Sequence, residues 1–347
     1  MHFSRFSRRW IISSTIRGIA TISLIPFCKG SAWSLTDRSH GQKSSSNRCD
    51  PVNAAGFGYH RDDATNALQQ AISSGAKRVF VPNMGQPWIV KPLFLESNQV
   101  IEFEDGVVVL AQEGAFKGEH DCLFKAVNKE NITLHGTNVA FKMNRKKYSK
   151  RRYKKAEWRH CLSLLGCRKI FIQGLSFLES GGDGIYVGRG VGKNSRTYCE
   201  DIQINNVICS KNHRQGLSII SARNLSVKNS IFKNTKGTSP QSGIDFEPNR
   251  KDEILENCNI LDSVIMGNKS YGILFALGRL TRRSNPISIR IENCKIRNNG
   301  RFAIHTKHPF PENSPSGVIK LKNNLIGDRC NFSHLPGVKL VVSHVDK

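Results

Sequence analysis

No stretch of the chain approaches the roughly 20 consecutive apolar residues needed to span a bilayer, so nothing in it reads as a membrane helix. Proline is scarce, 12 of 347 residues against 29 glycines, which suits many tight turns on a long chain. Acids are outnumbered, 27 Asp and Glu to 52 Lys and Arg, for a formal charge of +25. The ten cysteines include no C-x-x-C pair, so a zinc site of that type is excluded. No EF-hand or Ca²⁺-binding nonapeptide is present either.

What is present is a phrase that returns five times: Gly184-Ile185-Tyr186-Val187, Gly216-Leu217-Ser218-Ile219, Gly243-Ile244-Asp245-Phe246, Gly272-Ile273-Leu274-Phe275 and Ala303-Ile304-His305-Thr306. The returns fall 32, 27, 29 and 31 residues apart, the mark of a stacked repeat. A second, alternating phrase lies between them, as in Ile202-Gln203-Ile204-Asn205, Leu225-Ser226-Val227-Lys228 and Ile289-Arg290-Ile291-Glu292. Period-two phrases about 30 residues apart cannot close hairpins of 2–5 residues, but they can stack in parallel. The chain is therefore expected to be an all-β, right-handed parallel β-helix, handed by the chirality of parallel crossovers. Ile185, Leu217, Ile244, Ile273 and Ile304 form the predicted interior column. Tyr186, Ser218, Asp245, Leu274 and His305 form the predicted exterior one.

The N-terminus reads as an address. Ser7-Arg8-Arg9-Trp10 is a twin-arginine pattern, a modestly apolar segment follows, and Gly30-Ser31-Ala32 offers a small-residue cleavage site. Residues 1–32 are read as an export signal, 33–50 as a disordered linker and 51–345 as the β-helix, and the protein is expected to be exported to the periplasm or beyond. The signal carries five basic residues and no acid, leaving +20 on the mature chain. Within it, residues 142–159 hold ten basic residues and Glu157, interleaved with Tyr148, Tyr153 and Trp158, and read as a basic insertion. In an exported protein this pattern points to an anionic polysaccharide, gripped through charge and sugar stacking, rather than to nucleic acid. Cys258 and Cys294, each in a Glu-Asn-Cys triplet, read as stacked apolar residues rather than disulfides.

Residues 51–110 contain Asp62-Asp63-Ala64-Thr65-Asn66-Ala67-Leu68-Gln69-Gln70-Ala71-Ile72, a short helix with an Asp cap, then the strand Arg78-Val79-Phe80-Val81 and the stretch Leu93-Phe94-Leu95-Glu96-Ser97-Asn98. This order resembles the N-terminal cap and first coils of the pectin lyase-like family, which includes polygalacturonases and pectate lyases. The resemblance extends over about residues 50–330 and implies a carbohydrate-active β-helix protein. Gly182-Asp183-Gly184-Ile185 is similar to the Asn-Thr-Asp-Gly-Ile position of polygalacturonases, which implies a catalytic role for Asp183. The family's paired Asp-Asp and Arg-Ile-Lys have no counterpart here, and His213-Arg214-Gln215-Gly216 stands one coil later. Gly243 to Asn249 is similar to a strand of mannuronan epimerases, broken by Glu247 and Asn249.

The residues themselves add a carboxylate pair. With Ile244 and Phe246 facing inward, Asp245 and Glu247 project outward together, their α-carbons roughly 6.6 Å apart, near the lower edge of the ~6.5–9.5 Å carboxyl spacing of inverting glycosidases. The predicted catalytic residues are Asp245, Glu247 and Asp183; the predicted substrate-binding residues are His213, Arg214, His305, Lys307, Tyr186 and Tyr271. No cofactor is required, although Asp183, Asp245 and Glu247 could offer oxygen to Ca²⁺. Glycoside hydrolysis leads. Elimination or C5-epimerisation of a uronic acid chain, through a cation and a base, and a non-catalytic glycan-binding surface protein remain open. Sequence leaves the sugar, the linkage and the oligomeric state undetermined.

Overall fold

A computed structural model of the chain describes residues 50–346, within a unit spanning Arg48–Lys347. The expected signal and all but the last residue of the expected linker lie outside the described residues.

The coils have three sides, and strands stack in parallel on their equivalents in neighbouring coils. One side is an eight-stranded front sheet: β1 (Leu93–Phe94), β2 (Phe124–Val127), β3 (Leu162–Leu165), β4 (Ile185–Gly188), β5 (Gln215–Ile219), β6 (Ser242–Phe246), β7 (Tyr271–Ala276) and β8 (Phe302–Lys307). The other two sides belong to one continuous 17-stranded sheet, with stretches such as Cys199–Asn205 and Ile208–Ser210 from a single coil. The predicted register holds. Leu93, Phe124, Leu162, Ile185, Leu217, Ile244, Ile273 and Ile304 pair in succession, and all are fully buried. Each such side chain contributes roughly 1.5–3 kcal/mol of hydrophobic burial.

The recurring glycine has a steric cause. A β-carbon on Gly216 would lie 2.5 Å from the Gly243 carbonyl oxygen, and one on Gly272 would lie 2.5 Å from that of Ala303. From β4 to β7 the position stays glycine, whereas Leu123, Cys161 and Ala303 hold it on β2, β3 and β8.

Corners between strands are turned by residues in the left-handed region, most of them Asn, whose short polar side chain tolerates positive φ and bonds locally. These side chains also bond between coils: Asn257 donates to Asn224 at 3.0 Å and Asn224 to Asp201 at 3.0 Å. An inner ladder repeats the device, with Asn212, Asn268 and Asn299 each accepting from the backbone N–H of the coil before. Thr235 interrupts it, and its buried hydroxyl is without a partner.

The two Glu-Asn-Cys triplets do not stack on each other as the repeat suggested. Cys258 pairs with Leu225 and Ile289, whereas Asn293 stands over Asp262 at another corner. Both cysteines are nevertheless buried and free, as are Cys122, Cys161, Cys167, Cys199 and Cys209. Helix α1 (Thr65–Ser73) buries Ala67, Leu68, Ala71 and Ile72. Its N-cap position is Ala64, without a side-chain cap; Asp63, one residue earlier, accepts from the Thr65 N–H at 3.1 Å.

Candidate functional site

The outer column of the front sheet runs Lys125, Ser163, Tyr186, Ser218, Asp245, Leu274, His305. It was expected to face solvent, and in the middle it does not. Ser163, Ser218, Asp245 and Leu274 are at most 4% exposed. The basic insertion packs beside this face. Arg159 makes an antiparallel bridge with Gly181 and is itself fully buried. Its guanidinium donates to the carbonyls of Phe116, Lys117, Lys154 and Ala156 and lies over the Tyr148 and Tyr153 rings. The two tyrosines expected to meet sugar are thus the insertion's own core, 8% and 5% exposed. Lys147 and Arg152 both pair with Glu113. Glu157 then bridges Arg214 at 3.4 Å to the hydroxyl of Thr238 at 2.6 Å, joining the insertion to the segment before β6.

Arg214 lies among the predicted carboxylates and bonds one of them. It donates to both oxygens of Glu247, at 3.0 and 2.8 Å. Asp183, fully buried, accepts from the Gln215 N–H at 3.0 Å and the Ser218 hydroxyl at 2.9 Å, and burial pushes its pKa up to about 7. Asp245, also fully buried, accepts from the Gln215 side chain at 2.7 Å, and burial with the neighbouring Glu247 charge raises its pKa well above the ordinary carboxylate value. His160 was not anticipated. Its Nδ1 accepts the Asp183 N–H at 2.9 Å, its ring stacks on Tyr186 at 4.7 Å, and burial with the nearby Arg214 charge pushes its pKa down to about 3.

Asp183 and His160 give a signed pH prediction. Between about pH 4 and 6.5 the native pair holds one proton, on Asp183, and the unfolded pair also holds one, on histidine; proton uptake on unfolding cancels and the pair adds no slope. In Asp183→Asn only the histidine titrates. Its depressed pKa makes stability rise with pH by up to about 1.4 kcal/mol per unit relative to the parent. Denaturant unfolding at pH 4.5 and 6 measures this, and equal pH dependence in the two proteins would refute the pairing.

The open surface lies along the edge where the front strands end. A cleft of about 770 Å³ is lined by Lys125, Arg189, Lys193 and Arg250, by the Trp158 and Tyr186 rings, and by Glu253. At Asn249 it adjoins a depression of about 470 Å³ that holds Glu247, Lys307, Arg279 and Phe310. Glu253 is the one acid of the larger cleft and is only 2% exposed. Its Oε2 accepts from the backbone N–H groups of Asn249 and Arg250, at 2.5 and 3.0 Å, Arg189 stands 4.0 Å from Oε1, and burial raises its pKa.

The structure therefore brings together Asp183, Asp245, Glu247, Arg214 and Tyr186, and places Lys307 beside Glu247. It does not bring in the others. His213 is packed beneath Gly237, where a β-carbon would touch its ring at 2.3 Å. His305 and Tyr271 stack on each other at 5.1 Å and on Phe302, separated from Asp245 by the buried Leu274. A Ca²⁺ ion does not fit the three carboxylates: Arg214 already bonds Glu247, and both Asp183 oxygens accept from protein donors. Among the described residues no group of three His, Cys, Asp or Glu side chains is placed to hold a metal.

Residues 130–332 match the family model described as right handed beta helix region. Among solved structures, a family 28 exopolygalacturonase from Yersinia enterocolitica aligns at 12% identity and a TM-score of 0.56, over 85% of this chain and 76% of that one. An iota-carrageenase of family GH82 from A. fortis aligns at 13% identity and 0.51, over 79% and 62%. An iota-carrageenase complexed to iota-carrageenan fragments aligns at 14% and 0.52, over 79% and 61%. At such identities the likeness is one of fold. Among curated proteins no sequence matches the chain. With more than half of its length matched by the family model, and with parallel coils in the predicted register, the chain belongs to the right-handed β-helix family.

Proposed function

We propose that this is an exported carbohydrate-active enzyme that hydrolyses an anionic polysaccharide in the groove formed by the two adjoining depressions. The observation that carries the reading is the groove's composition: cations along both depressions, aromatic rings at Trp158, Tyr186 and Phe310, and two carboxyl groups, Glu247 and Glu253, on either side of Asn249. Cations pair with carboxylate or sulfate groups, and rings stack on sugar faces. Glu253, whose pKa is raised by burial, serves as the acid: its protonated form gives its proton to the glycosidic oxygen as the bond to C1 breaks. Glu247 takes a proton from the attacking water, whose oxygen bonds C1. Asp183 and Asp245 do not reach the groove; in this reading they hold Arg214, and through it Glu247, in place.

The likeness in fold to an exopolygalacturonase and to iota-carrageenases supports the substrate class and does not fix the sugar. The test is a panel of uronate-bearing and sulfated polysaccharides read for both reducing ends and the absorbance of an unsaturated product. New reducing ends without the unsaturated product are expected. An unsaturated product would replace hydrolysis by elimination, and binding with neither product would leave a glycan-binding protein.

A further inference from the structure

A second basic feature lies at the opposite edge of the front sheet, where the chain enters its strands rather than leaves them. A depression of about 400 Å³ is lined by Arg145, Lys146, Lys211, Lys236 and Lys269, with Glu179 as its one acid. Glu179 is already paired with Lys142 at 3.7 Å. Among the described residues no carboxylate pairs with any of the five cations, and the four lysines are exposed.

The cations are set by the coil repeat. The Lys236 N–H donates to the Asn212 carbonyl and the Lys269 N–H to the Thr235 carbonyl, so the two lysines occupy the same corner position on adjacent coils, about 4.8 Å apart along the axis. Lys211 turns the corner of the coil before. Arg145, from the start of the insertion, is tied to this corner through the Lys236 carbonyl, and its buried Nε–H has no partner. The basic block inferred from sequence is thus divided: Lys147 and Arg152 are spent on Glu113, whereas Arg145 and Lys146 join three coil-corner lysines.

We propose that this corner is a second binding site, separate from the groove, for a linear anionic polysaccharide laid along the solenoid axis, its carboxylate or sulfate groups meeting the successive cations. The site rests on the reading above that an anionic polysaccharide is the ligand. Regularly spaced cations suit a regularly charged chain better than one small anion. Its lining includes no aromatic ring, so it lacks the stacking faces with which single-stranded nucleic acid is held.

The experiment titrates the purified protein with polygalacturonate, with a sulfated galactan and with single-stranded DNA at two salt concentrations. The Lys211→Ala/Lys236→Ala/Lys269→Ala variant, with an unchanged circular dichroism spectrum, should bind the better of the two polysaccharides at least about tenfold more weakly. Its salt dependence should be shallower by about 2 in log–log slope, for three lost contacts at about 0.7 each. Glu179→Gln should tighten binding, and in a Lys125→Ala/Arg250→Ala background, whose groove binding is weakened, the triple corner substitution should still lower the salt slope by about 2. Unchanged binding in the triple variant overturns the corner site while leaving the groove reading intact. Wild-type protein that binds neither polysaccharide overturns both, and DNA bound more tightly than either, and lost in the triple variant, overturns the choice of ligand.

Discussion

Replacing Ile244 by Asp should leave the middle coils unable to form, with loss of native circular dichroism and of the cooperative thermal transition. Ile244 sits between Leu217 and Ile273 in a column with no exposure to water. A carboxylate there has no donor within a wall of Leu, Ile and Phe, and burying it unpaired costs several kcal/mol, of the same order as the ~5–15 kcal/mol that holds a domain together. In a solenoid each coil is stabilised by its neighbours, so the loss is passed to β5 and β7. The adjacent residue sharpens the contrast: Asp245, one position on and facing outward, is equally buried but accepts from Gln215 beside Arg214. Ile244→Val, which removes one methylene in the same place, should cost only about 1 kcal/mol. A native spectrum and transition in Ile244→Asp would mean that the register is wrong.

That register was legible because stacking repeats one steric problem in every coil. The same small residue, the same inward Ile and the same Asn at positive φ recur, and periodicity exposes them. The outward face was legible only in direction. Alternation shows that Asp245 points away from the core; it cannot show that Asp245 is fully buried, or that Glu157 of the basic insertion reaches the Arg214 beside it. The insertion's own fold depends on Arg159 finding four carbonyls and two tyrosine rings, a contact with no period. The same limit misplaced Tyr148 and Tyr153, and it misplaced the two Glu-Asn-Cys triplets, whose identical spelling falls at different corners.

The site divides in the same way. Asp183, Arg214, Asp245 and Glu247 were visible because each flanks or belongs to a front strand. His160 and Glu253 were not, since one directly follows the basic insertion and the other closes the loop after Pro248, where no alternation fixes a direction. The one available signal for Glu253 was local: an acid three and four residues after Arg250 and Asn249, placed to accept their backbone N–H groups. His305 was assigned to the site because it shares the Asp245 column, and Tyr271 as a ring that could stack on a sugar. Their rings stack on each other instead, a bland use of an outer column that the sequence does not distinguish from a sugar platform.

On a substrate identified by the glycan panel, Glu253→Gln and Glu247→Gln should each lower turnover by about 10²–10⁴-fold, the contribution of one general acid or base. Glutamine at 253 keeps an oxygen to accept the Asn249 and Arg250 N–H groups, so the loop stays anchored and substrate affinity should change little. The two variants should differ in pH dependence. Burial raises the Glu253 pKa, so its protonated form, the form that donates, is lost as pH rises through that raised value; wild-type turnover should fall on the alkaline side, and the Glu253→Gln residue of activity should not. A substrate whose leaving group departs without a proton should recover much of the rate in Glu253→Gln and none in Glu247→Gln, because only the first variant lacks an acid. Recovery in neither would return Glu253 to the role of a loop anchor. Asp183→Asn provides the remaining contrast: its side chain stands outside the groove and acts through Arg214 and His160, not as an acid on the leaving group, so its loss of turnover should not be relieved by the better leaving group either.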